Sequence, residues 1–159
     1  MKKIAKFEKV SKENFLSVFN DEKVYEEIKL PKRATTGSAG YDFFAPFDFT
    51  LNPNETITIP TGIRVKIDEG FVLNLYPRSG LGFKYRLRLD NTVGIIDSDY
   101  YYSDNEGHIF VRLTNCSNDK TLTVKKGEGF CQGIFTEYFI TYDDEVSEVR
   151  NGGFGSTTK

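Results

Sequence analysis

Two carboxylates, Asp97 and Asp99, follow the apolar run Val93–Ile96 in the stretch NTVGIIDSDYY. In an extended segment, side chains two residues apart project to the same side. A carboxylate held beside apolar groups can act as a general base on water. An EF-hand also begins with this spacing, but Tyr101 falls on its third ligand position and the glycine is misplaced, so calcium is not expected. A second stretch with chemical potential is YPRSGLGFK, residues 76–84. Pro77 and the glycines predict a turn. In that turn Arg78 offers a planar fork of donors, Ser79 a hydroxyl and Gly80 a close backbone approach, a combination suited to phosphate oxygens. The third stretch is NGGFGSTTK, residues 151–159, where Phe154 stands among glycines beside Ser156, Thr157 and Thr158. Such a tail could act as a lid, its ring covering a flat group and its N–H and hydroxyl groups covering an anion. Each stretch also has a plainer reading: a polar strand end, a solvated arginine and a disordered tail.

Composition narrows the possibilities. The 159 residues suit one domain with a real core, and a formal net charge of −2 gives no general attraction to nucleic acid or to a membrane. The opening MKKIAKFEKV is a poor signal peptide, and no stretch is long enough to span a bilayer. Cys116 and Cys131 form no CxxC pair and read as buried thiols of a reducing compartment, which places the protein in the cytoplasm. The single histidine, His108, excludes an HExxH site or any zinc site built mainly from histidine. It is expected to be an ordinary surface or edge residue at a strand start.

The elements that must position these residues are strands. Ile57 and Ile59 alternate, as do Ile63, Val65 and Ile67, then Tyr85, Leu87 and Leu89, then Ile109, Val111 and Leu113, and finally Leu122 and Val124. Period two with β-branched and aromatic residues predicts half-buried strands. Turn signals such as NPN (52–54), DEG (68–70), LDN (89–91) and SDNEG (103–107) separate them. The expected fold is all-β, a sandwich, jelly roll or barrel. One short helix is expected in SKENFLSVF, capped by Ser11 and with Phe15, Val18 and Phe19 on one face. The acidic run TYDDEVSEVR would tether the body to the tail.

Taken in order, AGYDFFAP (39–46), PRSGLGFK (77–84), NTVGIIDSDY (91–100), GEGFCQGIF (127–135) and GGFGST (152–157) resemble the five motifs of the trimeric dUTPase family. The resemblance implies a jelly-roll-like β-barrel over residues 1–148, a flexible C-terminal lid over 149–159, and a homotrimer with shared active sites. It implies hydrolysis of dUTP to dUMP and pyrophosphate with Mg2+, which keeps uracil out of DNA and supplies dUMP for dTMP synthesis. Asp97 matches the general base that activates water against the α-phosphorus. Asn91, Gly94, Ile95 and Ile96 match a hairpin that reads uracil, and Tyr100 matches the aromatic under the deoxyribose. Arg78, Ser79, Gly80 and Gln132 match phosphate contacts, and Asp42 matches a carboxylate that helps hold magnesium through water. In the lid, Phe154 would stack on uracil, with Gly155, Ser156, Thr157 and Arg150 holding phosphates.

The chain departs from the family in places. The loop YYSDNEG after Tyr100 is longer, Arg150 lies two residues before Gly152 where many members have three, and Thr158 stands where a glycine is common. The stretch SKENFLSVFNDEKVYEE also exceeds what shorter members need. Two alternatives stay open on the sequence. One is a dCTP deaminase or bifunctional relative, whose catalytic glutamate would fall in the strand FVRLTN, where this chain carries Arg112. The other is a regulatory trimer whose main task is to bind a protein partner.

Overall fold

The computed structural model describes residues 1–150; the expected lid residues Phe154, Gly155, Ser156 and Thr157 lie outside them. Twelve strands form among the described residues. They are β1 (Ala5–Lys9), β2 (Lys32–Arg33), β3 (Tyr41–Phe44), β4 (Phe49–Leu51), β5 (Thr56–Pro60), β6 (Ile63–Ile67), β7 (Phe71–Pro77), β8 (Leu87–Leu89), β9 (Gly94–Ile96), β10 (Phe110–Asn115), β11 (Leu122–Val124) and β12 (Gly129–Glu137). The largest sheet has the order β2-β3-β12-β7-β9, a second has β5-β10-β8, and β1-β6 and β11-β4 form pairs. Every ladder is antiparallel. The all-β class is as expected, and no ladder among the described residues closes a barrel.

Alternation places the core. Ile63, Val65 and Ile67 of β6, Val111 and Leu113 of β10, and Leu122 and Val124 of β11 are all buried, while Lys66, Arg112 and Thr123 between them face out. β7 lies between β12 and β9, so Leu73, Asn74 and Leu75 are buried in succession. Asn74 then needs a partner, and its amide donates to Thr136 Oγ1 at 2.8 Å. No helix among the described residues is long and apolar enough to cross a membrane.

The helices differ from expectation. α1 (Lys12–Val18) forms where predicted, with Ser11 Oγ accepting from the Asn14 N–H. Phe15 is fully buried and Phe19 stacks on Phe47 at 4.8 Å, but Val18 faces solvent. Val18 lies between them on the short helix and turns away from the core. A second helix, α2 (Glu22–Glu26), is capped by Asp21. The predicted turn at residues 76–84 is instead strand followed by α3 (Ser79–Tyr85). Its glycines are poor helix formers, but the helix ends on Arg86 in the left-handed region and packs Leu81 and Tyr85 against the core. Tyr85 therefore closes a helix rather than joining Leu87 in a strand. Cys131 is buried, which keeps its thiol protonated, whereas Cys116 is only half-buried, against expectation.

Candidate active site

One group of expected site residues collects at one end of the large sheet. Asp42 on β3 faces Gln132 on β12, and Gln132 faces Tyr76 on β7. Arg78, just past β7, places Nε 3.2 Å from Asp42 Oδ1, and its Nη1 donates to Gly129 O at 3.5 Å. A Cβ on Gly129 would lie 2.8 Å from Arg78 Nη1, so glycine there leaves room for the guanidinium. Gln132 Nε2 donates to Pro77 O at 3.2 Å. Ser79 and Gly80 are exposed in the first turn of α3. A half-exposed arginine, an amide and an open helix start make a surface that can receive phosphate oxygens. Among the described residues no group of three His, Cys, Asp or Glu side chains gathers to hold a metal. A single carboxylate, Asp42, nonetheless fits magnesium, which keeps several waters and takes further oxygens from substrate phosphates.

A second group forms at β9. Ile95, Ile96, Asp97, Tyr100 and Arg150 line a small pocket of about 30 Å³. Ile96 is buried against the core and Ile95 is exposed. Asp97 ends the strand with extended backbone and precedes a 3-10 helix over Ser98–Tyr102. Asp99 therefore lies in a helical turn, and the extended-strand reason for the two carboxylates pointing together does not hold. Arg150 joins them instead: its Nη2 donates to Asp97 Oδ2 at 2.6 Å and its Nε to Asp99 Oδ1 at 2.9 Å. The expected phosphate ligand thus rests on the expected base.

The segment Asn91–Ile96 is not a two-stranded hairpin. β8 pairs with β10 and β9 with β7, so the chain crosses from one sheet to the other. The turn is tight, with Thr92 N–H donating to Leu89 O and Val93 N–H to Asn91 O, and Thr92 has φ +68°. A β-branched residue rarely adopts that conformation. Asn91 is exposed at this turn, and buried Gly94 passes so close that a Cβ would touch Leu75 at 3.0 Å. On β10, Arg112 donates to Asp90 Oδ2 at 2.7 Å, so that strand offers a cation where a deaminase would need a glutamate.

Tyr100 is 4% exposed, and burial raises its pKa. Its hydroxyl donates to His108 O at 2.6 Å and accepts from Asn105 Nδ2 at 2.9 Å. His108 is buried, not a surface residue. Its Nε2 accepts from the Gly62 N–H at 2.8 Å, so Nδ1 carries the proton and donates to Asn14 Oδ1 at 3.0 Å. Burial pushes its pKa down to about 4, against an opposing pull from Glu106. Sequence reasoning missed Asn14, Asn105 and His108 as neighbours of the site. Only the SDNEG turn signal at 103–107 marked the region.

The two groups stand apart on one chain. Ile96 faces Leu73 in the β7–β9 ladder, which puts Asp97 level with Val72, six residues from Arg78. At roughly 3.3 Å per residue the separation is about 20 Å, more than a triphosphate spans.

The sequence profile of the dUTPase family matches residues 26–158. A deoxyuridine 5'-triphosphate nucleotidohydrolase from Lactococcus lactis subsp. lactis is 44% identical over 133 residues, covering 82% of this chain and 88% of that protein. One from Tolumonas auensis is 41% identical over 145 residues, covering 86% and 92%. The crystal structure of a dUTPase from Streptococcus mutans superposes with a TM-score of 0.65 at 33% identity, covering 85% of this chain and 97% of that one. A mutant dUTPase from phage phi11 of S. aureus, described as coordinating a structural Mg(II) ion, shares the fold with a TM-score of 0.65 at 20% identity, covering 92% and 98%.

Proposed function

The chain belongs to the dUTPase family and hydrolyses dUTP to dUMP, and from that premise we propose how its residues divide the work. Asp97 takes the proton from a water that attacks the α-phosphorus, and pyrophosphate leaves. Arg150, which bridges Asp97 and Asp99, exchanges these carboxylates for substrate phosphate and frees the base. Asn91 and the backbone of Gly94, Ile95 and Ile96 read uracil, while the ring of Tyr100 lies under the deoxyribose and leaves no space for a 2′-hydroxyl. Arg78, Ser79, Gly80 and Gln132 bind the phosphates. Asp42 holds Mg2+ through water, and the ion when bound neutralises phosphate charge. Residues 149–159 form the lid, with Phe154 on uracil and Gly155, Ser156 and Thr157 on the phosphates. Phosphoryl transfer depends mainly on such positioning and charge neutralisation, so no catalytic histidine or cysteine is required. The free Cys116 and Cys131 fit a reducing, cytoplasmic setting.

The observation that carries this reading is the strand register that sets Asp97 level with Val72, roughly 20 Å of backbone along β7 from Arg78. Within one chain a triphosphate would have to bridge that separation. In a homotrimer the Arg78 end of one subunit can face the Asp97 end of another. Strongly exposed Phe139, Ile140, Tyr142, Val146 and Val149 support the same view, since a C-terminal arm with these side chains has apolar surface for a neighbouring subunit. Complementation tests it. Asp97→Asn and Arg78→Ala should each be nearly inactive on dUTP. Subunits mixed by co-refolding should recover activity in about a quarter of the sites, because random assembly pairs two intact halves that often. No recovery in verified mixed oligomers would place both groups in one subunit's site and overturn the arrangement.

A further inference from the structure

The loop after Tyr100 and the N-terminal segment meet at the hydroxyl of Tyr100. Asn105, inside that loop, donates to the Tyr100 hydroxyl at 2.9 Å. Its Oδ1 accepts from the Gly107 N–H at 3.1 Å, and its backbone O accepts from Asn14 Nδ2 at 3.0 Å. Asn14 sits on α1 and also receives the His108 Nδ1 proton at 3.0 Å. His108 in turn presents the carbonyl that accepts from the Tyr100 hydroxyl. A second tie lies beside the first. Glu106 accepts from Ser11 N and Ser11 Oγ, at 2.9 and 2.6 Å, and Ser11 caps α1. Arg64 lies against the Tyr101 ring at 3.6 Å and donates to Tyr101 O at 2.8 Å, fixing the loop from β6. Phe15, fully buried next to Gly62, anchors α1 in the core.

We propose that this network is a brace for sugar recognition, and that Asn105 is a positioning residue that sets discrimination between deoxyribose and ribose by holding the Tyr100 ring. The inference rests on Tyr100 reading the deoxyribose. A ring that excludes one hydroxyl must not yield when that hydroxyl pushes on it. A phenol with its oxygen held by a carbonyl and an amide cannot swing aside without breaking both bonds. The amide is supplied by the loop after Tyr100, and the loop is held in place by α1.

The test compares kcat/KM for dUTP and for UTP in the full-length enzyme. Tyr100→Ala sets the scale. Asn105→Ala should lower the dUTP-to-UTP ratio by about 3- to 10-fold, the worth of one hydrogen bond, mainly by raising activity on UTP. Asn105→Asp keeps the acceptor for the Gly107 N–H but loses the donor to Tyr100, and should behave like the alanine variant. Tyr100→Phe removes the hydroxyl, so adding Asn105→Ala to it should cost no further discrimination. A ratio unchanged by both Asn105 variants, or losses that simply add to that of Tyr100→Phe, would overturn the brace while leaving Tyr100 as the sugar reader. If Tyr100→Ala itself leaves the ratio unchanged, the sugar is read elsewhere and the brace falls with that premise. If neither Asn105 variant folds, Asn105 holds the loop rather than the sugar, which also overturns the inference.

Discussion

Acidification should destabilise this protein through His108. The imidazole is buried between Phe15 and Phe110, and its Nε2 is committed as an acceptor to the Gly62 N–H. Protonating it would bury a charge and break that bond, which is why its pKa falls from 6.5 to about 4. The unfolded chain takes up the proton below pH 6.5, whereas the folded chain resists it until about pH 4. The unfolded state therefore binds more protons throughout that window, and stability declines as pH drops through it. The loss reaches about 3 kcal/mol at the acid end and about 2 kcal/mol at pH 5, a large share of a typical domain's stability. Glu106, near Ser11 and Arg64, adds to the fall. Burial alone would raise its pKa, but the Ser11 hydrogen bonds and the Arg64 charge bring it below the usual value. It therefore gives up these contacts only as the pH falls below the ordinary glutamate range. The assay is urea unfolding followed by circular dichroism at pH 7, 6 and 5. Protein concentration is fixed, because assembly makes apparent stability depend on it. His108→Gln should be less stable at pH 7 but lose much less on going to pH 5. Equal losses for both proteins would mean that His108 is not the buried titrating group, and the packing argument for it would fail.

Two further substitutions probe the framework. Gly107 has φ +71°, and a Cβ there would meet Tyr100 O at 2.7 Å and Tyr101 Cα at 2.8 Å; Gly107→Ala should cost about 1–3 kcal/mol and lower the thermal midpoint, and an unchanged midpoint would mean that the loop is not packed on Tyr100. Leu113, fully buried on β10, should cost about 2–5 kcal/mol as Leu113→Ala, measured by urea unfolding with dUTP turnover near wild type at low temperature, since β10 lies outside the site.

The sequence carried the strands because alternation is local. Ile63, Val65 and Ile67 face inward whatever they pair with, and the burial of each follows from a period of two. It also carried the family, because Asp97, Tyr100, Arg78 and Asp42 stand in stretches whose order survives in the linear chain. Local signals misled where tertiary contacts outweighed them. Pro77, Gly80 and Gly82 read as a turn, yet Leu81 and Tyr85 pack a short helix onto the core. His108 read as an edge residue because it is polar and lies beside a turn, but Asn14, 94 residues away, supplies the partner that lets it be buried. The family resemblance implied a hairpin over Asn91–Ile96, whereas each flanking strand found a distant partner.

By itself, then, the sequence determined an all-β chain of the dUTPase family and the candidate residues for its site. Only the tertiary structure decided where those residues meet. Strand order β2-β3-β12-β7-β9 gathers Asp42, Arg78 and Gln132 at one end of a sheet and leaves Asp97 and Tyr100 near the other. Which strands pair depends on long-range packing and loop closure, and no local run of residues encodes it.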